Sequence, residues 1–277
     1  MTIIAFVDGS TYAHSVCELA AWAAQRSGAK VEVLHVLGRR EAVEGADLSG
    51  SIRLGARTAL LEELADLDAK RAKLVTLRGR AILEDAKAVF AKAGVDAVTR
   101  LRHGDLLDAF ADQEGAAQLV VIGKRGEAAN LAKGHLGSNL ERIVRATKRP
   151  VMVAARAFRP IQKLLIAFDG GASAQRAVDH VAENPMYKGL SVTLATVGTA
   201  SPSLQAAQTR LQGQGVATDV LVLEGQPDAV LAKLVEEARY DLLVMGAYGH
   251  SRIRSLIIGS TTTEMIRSCK VPVVLIR

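Results

Sequence analysis

Glycines and hydroxyl-bearing residues recur at fixed spacing near the end of the chain. Gly246 and Gly249 follow an apolar run, and nine residues separate Gly249 from the group Gly259, Ser260 and Thr261. Glycine allows backbone N–H groups to approach an anion closely. Gly259 stands directly before a stretch of helical character, so the first N–H groups of that helix and the positive end of its dipole would face the same anion. The pattern G-x2-G-x9-G-[ST]-[ST] predicts a phosphate-binding loop, although one hydroxyl could instead cap the helix.

An aspartate, Asp169, ends another apolar run at 165–168. If this run and the one before Gly246 are parallel strands, their carboxyl ends lie at the same edge of the sheet, and Asp169 would reach the crevice beside the loop. A carboxylate there can accept a hydrogen bond from a ribose hydroxyl or from adenine. The residues leave a second interpretation open, in which Asp169 forms an ordinary turn with Gly170 and Gly171 that caps the next helix.

Four short stretches recur in the same order in the two halves of the chain. Residues 3–9 match 165–170, 31–36 match 192–197, 119–123 match 242–246, and 149–154 match 271–276. Asp8 and Asp169 are 161 positions apart, whereas Gly123 and Gly246 are 123 apart, so the first half carries 38 additional residues. The sequence therefore predicts two copies of one unit, residues 1–158 and 159–277, with an insertion at about 38–87.

The insertion has a composition typical of a helix, rich in alanine, leucine and charged residues. Leu60, Leu61, Leu64 and Leu67 lie on one helical stripe within it. A stripe of this kind could dock a partner.

Short apolar runs alternate with helical stretches in both halves. The predicted strands lie near 3–7, 31–37, 96–101, 118–122 and 151–155 in the first half, and near 163–168, 191–197, 217–223, 241–245 and 272–276 in the second. Their nearly continuous apolar character is typical of strands covered on both faces. The alternation predicts α/β architecture, with a parallel sheet, right-handed crossovers and a ligand site at the carboxyl ends of the strands.

With these features the chain resembles the universal stress protein family in its tandem two-domain form. The ATP-binding signature of that family, G-x2-G-x9-G-[ST], is met by Gly246, Gly249, Gly259 and Ser260. The resemblance covers the chain apart from the 38 additional residues. It implies an ATP-binding stress or signalling protein built from two Rossmann-like, doubly wound open sheets of five strands in the order 3-2-1-4-5. It also implies that the final strands of the two halves pair across a pseudo-two-fold axis.

The same resemblance implies roles for particular residues. The family's strand-one aspartate corresponds to Asp169, the backbone that flanks adenine falls on Val197, and the start of the loop falls on Met245. The hydroxyl positions fall on Ser260, Thr261 and Thr262. The implied ligand is ATP, with or without Mg²⁺.

The first half departs from the signature. Ten residues rather than nine separate Gly126 from Gly137, and Asn139 replaces the second hydroxyl residue after Ser138. A second nucleotide site is conceivable here, formed by Asp8, Val36, Gly123, Gly126, Gly137 and Ser138. Two alternatives stay open: another anion held by Lys124, Arg125 and Lys133, or an unliganded half that acts as a scaffold.

Composition restricts the other classes of function. The net charge is +6, but the basic residues are scattered and aromatic residues make up only 4% of the chain, which favours anion sites over nucleic-acid binding. The sequence contains no apolar run of about 18 residues, no signal peptide, no lysine-containing P-loop and no clustered metal ligands. We therefore expect a cytoplasmic protein without a membrane span, with no catalytic residues or metal site assigned.

Three functions remain open at this point. The protein could be a nucleotide-dependent regulator with an unidentified protein partner, a slow ATPase that phosphorylates itself on Ser260 or Thr261, or a nucleotide-free scaffold that docks a partner near Leu60–Leu67. The two halves would form a dimer-like unit within one chain, and a homodimer of such chains is equally possible.

Overall fold

The computed structural model describes residues 1–38, 54–127, 136–247 and 259–277. The first half contains β1 (Thr2–Phe6), α1 (Ala13–Ser27), β2 (Lys30–Leu37), α2 (Leu54–Lys92), β3 (Ala97–His103), α3 (Leu106–Glu114), β4 (Ala117–Gly123), α4 (Ser138–Ala146) and β5 (Val151–Ala154). The second half contains β6 (Lys163–Ala167), α5 (Ala172–Glu183), a 3₁₀ turn (Pro185–Tyr187), β7 (Ser191–Val197), α6 (Pro202–Gly213), β8 (Thr218–Leu223), α7 (Pro227–Glu237), β9 (Leu242–Gly246), α8 (Ser260–Ser268) and β10 (Val273–Ile276).

The strands of both halves form one continuous sheet. Across the described ranges its order is β3-β2-β1-β4-β5-β10-β9-β6-β7-β8. Neighbouring strands within each half run parallel, while β5 and β10 pair antiparallel with Met152 opposite Val274. Each half therefore has the predicted order 3-2-1-4-5, and the predicted pairing of the final strands is confirmed. An antiparallel junction is what a two-fold relation between two parallel sheets requires.

Helices cover both faces of the sheet and bury its central strands. Val120, Val121, Leu242 and Leu243 are almost completely inaccessible to solvent, as their continuous apolar sequence predicts. The edge strands β3 and β8 are instead only partly buried, and each exposes some of its residues. Within the described ranges, every helix is too short or too polar to cross a bilayer.

Helix α2 is the element that distinguishes the two halves. It has 39 residues, whereas its counterpart α6 has 12. Its last turns pack on the sheet through Leu83, Ala86 and Phe90. The helix ends at Lys92, five residues beyond the predicted end of the insertion. A β-carbon on Gly79 would lie 2.8 Å from Cδ1 of Leu101. Because glycine has no side chain, the helix can approach β3 closely at this point. The start of the predicted insertion, at 39–53, lies outside the described residues.

Arginine side chains of each half donate hydrogen bonds to backbone carbonyls of the other half. Arg26, which lies over the ring of Trp22, donates from Nε to the carbonyl of Met186 at 2.6 Å. Arg277, at the other end of the contact, donates to the carbonyl of Arg145 at 2.7 Å. These contacts lock the halves together beside the β5–β10 pair. The predicted boundary at residue 158 falls in the connection between β5 and β6 and stays a prediction.

Candidate functional site

The carboxyl ends of β6, β7 and β9 bring the predicted second-half residues to one edge of the sheet. Ala167 of β6 stands opposite Met245 on one side and Ala195 on the other. Asp169 therefore emerges two residues beyond this row, beside Val197 at the end of β7. Gly246 and the buried side chain of Met245 complete the same edge. Of the predicted second-half residues only Gly249, inside 248–258, lies outside the described residues.

Asp169 forms the turn of the second interpretation, but among the described residues no side-chain cap is found on α5, whose N-cap residue is Gly171. The Oδ1 atom of Asp169 accepts a hydrogen bond from the backbone N–H of Gly171 at 2.8 Å, and Gly170 adopts a φ of +77°, which favours glycine. The Asp169 side chain is nonetheless exposed at the strand edge. The turn is thus part of the structure, and contact with a ribose or adenine stays a prediction.

Gly246 is required by the packing of β9 against α5. A β-carbon there would lie 2.4 Å from Oγ of Ser173, a buried residue in the first turn of α5. The carbonyl of Gly246 also accepts a long hydrogen bond, 3.4 Å, from the hydroxyl of Thr262. Thr262 is buried, so this predicted hydroxyl joins the loop strand to α8.

The N-terminus of helix α8 has Gly259 as its N-cap residue, with a φ of −55° and a ψ of 145°. Among the described residues, no side chain caps it. The carbonyl of Gly259 accepts the N–H of Thr263 at 2.9 Å. Ser260 and Thr261 are exposed in the first turn, where the helix leaves N–H groups without intrahelical partners. The alternative in which a hydroxyl caps this helix is therefore not what the structure adopts.

Two serines at the start of α6 border the same edge and were missed by the sequence interpretation. The hydroxyls of Ser201 and Ser203 are 2.8 Å apart, and Ser201 caps α6 by accepting the N–H of Leu204. The Ser203 hydroxyl lies 3.3 Å from where a β-carbon of Gly170 would be. A serine followed by proline is a recognisable helix start, so the sequence did contain a signal for these residues.

The first half has a similar arrangement at the carboxyl edge of its strands, but there Asp8 already binds backbone groups of its own half. Asp8 accepts the N–H of Ser10 at 3.0 Å and, from across the crevice, the N–H of Glu127 at 3.1 Å. Gly126 is so close that a β-carbon would lie 2.9 Å from Asp8. The crevice, lined also by Val36 and Gly123, has a cavity volume of about 50 Å³.

The N-terminus of α4 in the first half matches that of α8. Gly137 is its N-cap residue, with a φ of −62° and a ψ of 131°, and Ser138 is exposed in the first turn. The N–H of Gly137 donates to the carbonyl of Lys124 at 3.0 Å. Ser138 is therefore the structural counterpart of Ser260, which makes it a matched control position.

Helix α2 reaches over the first crevice. Arg78 of α2 forms an ion pair with Glu127, whose N–H is the donor to Asp8. A β-carbon on Gly9 would lie 2.6 Å from this arginine, so the three side chains and the turn are in close contact. The long helix thus ties the first glycine loop to the strand-one aspartate.

Lys124 does not point at an anion in the first loop. Its ammonium donates to the carbonyl of Cys269, just beyond α8 of the second half, and its side chain is buried. Burial lowers the pKa of Lys124 and raises the pKa of the Cys269 thiol to about 11. Lys133, the third predicted cation, lies outside the described residues.

Comparison with known proteins identifies the family. The model of the universal stress protein family matches residues 1–155 and 199–277. A universal stress protein of Synechocystis sp. is 38% identical over 284 residues, covering 99% of both chains. Another, from Mycolicibacterium smegmatis, is 22% identical over 304 residues, covering 99% of this chain and 96% of the relative. The crystal structure of a universal stress protein from Archaeoglobus fulgidus has the same fold, with a TM-score of 0.72 at 18% identity over 100% of this chain and 98% of that one.

These matches extend over the two halves and agree with the repeated strand order of the sheet. The chain therefore belongs to the universal stress protein family, with two such domains in tandem.

Proposed function

We propose that this universal stress protein binds ATP in its second half and acts as a nucleotide-dependent regulator in the stress response. The observation that carries the proposal is the N-terminus of α8. Within the described ranges it has no side-chain cap and exposes two hydroxyls, and Thr262 connects it to Gly246 at the strand edge where Asp169 emerges.

The phosphates would lie against the first turn of α8. Helix N-termini bind anions through free N–H groups and through the positive end of the helix dipole. The exposed hydroxyls of Ser260 and Thr261 add two donors at the same place. Mg²⁺ that accompanies ATP needs few protein ligands, and no group of three or more histidine, cysteine or acidic side chains able to hold a metal occurs among the described residues.

The nucleoside would lie along the ends of β6 and β7. Asp169 would accept hydrogen bonds from the ribose hydroxyls, since its carboxylate is exposed beside the glycine loop. The backbone at Val197 would flank the base. Ser201 and Ser203, at the N-terminus of α6, border this end of the site.

Binding in the first half would need rearrangement. The carboxylate of Asp8 already accepts two backbone N–H groups, and Glu127, one of the donors, is held by Arg78. A nucleotide could enter only after the loop moves away from Asp8. We therefore expect one nucleotide per chain.

Replacing Gly259 with valine is expected to abolish nucleotide binding while leaving the fold intact. The backbone at Gly259 has a polyproline-like conformation that is open to every residue, so the valine itself adds little strain. Its branched side chain would occupy the space in front of the helix N-terminus. Mass spectrometry of nucleotide released from denatured protein, together with equilibrium binding of added ATP, measures the effect.

The double variant Ser260→Ala/Thr261→Ala and its counterpart Ser138→Ala provide the matched comparison. Loss of hydrogen bonds to a charged ligand, each contributing about 1.5–3 kcal/mol, predicts at least about tenfold weaker binding for the double variant. Ser138→Ala should bind as the natural protein does. Two nucleotides per chain would refute a site confined to the second half, and a protein that binds no ATP at all would refute the proposal and favour the scaffold function.

A further inference from the structure

The exposed part of α2 carries several large apolar side chains that are open to solvent among the described residues. Leu61, Leu67, Leu74 and Leu77 expose 56%, 55%, 66% and 50% of their surface. Most exposed large apolar side chains of the described residues thus lie on this one helix. Scattered single leucines are normal on a surface, but several along one helix indicate a contact surface.

Two of these leucines, Leu67 and Leu74, lie on a candidate helix-pairing seam with the half-buried Leu60 and Leu64. At about 100° per residue, Leu61 and Leu77 lie on either side of this seam. Leu60, Leu64, Leu67 and Leu74 follow one another at intervals of four, three and seven residues. Such intervals place apolar side chains on one seam of a helix, with Arg71 at the remaining position of the repeat. The side of α2 that packs on the sheet, through Gly79, Leu83, Ala86 and Phe90, lies roughly 100° around the helix from this seam. Leu67 and Leu74 are exposed on the seam, whereas Leu60 and Leu64 are half-buried and Arg71 lines a cavity beside β2.

Charges along the same segment are separated by sign. The acidic residues Glu62, Glu63, Asp66 and Asp68 come first, with no basic residue among them, and the basic residues Lys70, Arg71, Lys73, Arg78 and Arg80 follow, with no acidic residue among them. A helix with one negative and one positive half is complementary to an antiparallel copy of itself. A parallel copy would place like charges side by side, which is unfavourable.

We propose that this segment, residues 60–77 of α2, is a homodimer interface in which two chains pair their α2 helices antiparallel about a two-fold axis near Ala69. Antiparallel pairing satisfies the requirement that a two-fold interface be complementary to itself. It buries the leucine seam of each chain and sets the acidic half of one helix against the basic half of the other. This interface is remote from the nucleotide edge and does not depend on nucleotide binding.

The expected interface is small. At 1.5 Å per residue the segment is about 27 Å long, so the contact would be near the lower limit of specific interfaces, about 1,000 Å². We therefore expect dissociation in the micromolar range and weakening by salt, since exposed charges are screened above about 0.1 M ionic strength.

Sedimentation velocity of the full chain, at concentrations from about 1 to 100 µM, tests the proposal. The natural protein should pass from monomer to dimer over this range. Leu67→Glu/Leu74→Glu should remain monomeric at the highest concentration, because it places charge in the seam. Both residues are exposed, so the unfolding midpoint should be unchanged, which separates loss of dimer from loss of fold.

A pair of charge-reversed variants tests the complementarity itself. Lys70→Glu/Lys73→Glu makes the segment mostly acidic, and Glu63→Lys/Asp66→Lys makes it mostly basic. Each alone should associate at least about tenfold more weakly than the natural chain, and an equimolar mixture should recover dimers. A monomeric natural protein at about 100 µM in low salt would overturn the proposal and favour another protein as the occupant. Dimers that persist in Leu67→Glu/Leu74→Glu would overturn it as well.

Discussion

Replacing Gly246 with alanine is expected to lower the free energy of unfolding by about 1–3 kcal/mol, the usual cost of forcing an extra carbon into a packed site. The new β-carbon would lie 2.4 Å from Oγ of Ser173, 2.9 Å from Cβ of Ser173 and 3.2 Å from the backbone nitrogen of Ala174. Rotation of the serine hydroxyl relieves only the first contact. The other two belong to the first turn of α5, so the helix itself must shift. Urea unfolding monitored by circular dichroism measures the change.

Two further variants make this prediction specific. Gly213→Ala is the control, because a β-carbon at Gly213 has no heavy atom within 4 Å, and its stability should change by less than about 0.5 kcal/mol. Ser173→Ala combined with Gly246→Ala should recover part of the loss, since the shortest contact is removed, and the double-mutant cycle measures that coupling. If Gly246→Ala unfolds at the same urea concentration as the natural protein, the close packing of β9 on α5 contributes nothing to stability.

The strands could be predicted from the sequence because burial on both faces leaves a local signature. The apolar run predicted at 241–245 is β9 at Leu242–Gly246, and the run predicted at 191–197 is β7 at Ser191–Val197. Strand order, by contrast, is not a local property. It followed from the resemblance to the family, and so did the pairing of β5 with β10.

The features that could not be predicted depend on contacts between residues far apart in the sequence. The ion pair between Arg78 and Glu127 joins residues 49 positions apart, and it depends on where α2 crosses the first crevice. Lys124 was a candidate anion ligand because its charge stands next to a glycine. The charge of a residue does not show whether its side chain is buried. The Lys124 ammonium instead donates to the carbonyl of Cys269 in the other half, 145 positions away.

The N-caps of α4 and α8 show that the glycine pattern predicted where these two helices begin. Gly137 and Gly259 have nearly the same backbone conformation, although one spacer has ten residues and the other nine. The helix start is thus set by the glycine and the residues after it. Whether the crevice beyond is open to a ligand depends on neighbouring elements, and in the first half α2 supplies the contact that ties the loop to Asp8.

Acidification from about pH 6.5 to pH 4 is expected to destabilise the fold through His180, by on the order of 3 kcal/mol. Its ring lies edge-on to Tyr187 with the centroids 5.4 Å apart, and its Nε2 atom is buried without a hydrogen-bond partner among the described residues. Burial lowers the pKa of His180 from 6.5 to about 4. The unfolded chain therefore binds more protons than the native protein between these two pH values. Stability is complete above about pH 6.5 and falls as the pH drops towards 4.

The variant His180→Phe isolates this contribution from the carboxylates that titrate over the same range. Phenylalanine keeps an aromatic ring against Tyr187 and has no group to protonate. The free energy of unfolding of the variant minus that of the natural protein should increase by about 3 kcal/mol from pH 7 to pH 4, as measured by urea unfolding at each pH. His103→Gln, at the exposed end of β3, serves as the control and should follow the natural protein at every pH. Parallel curves for His180→Phe and the natural protein would mean that the native structure accommodates the charged imidazole, and that Nε2 is less isolated from water than its position beneath Tyr187 indicates.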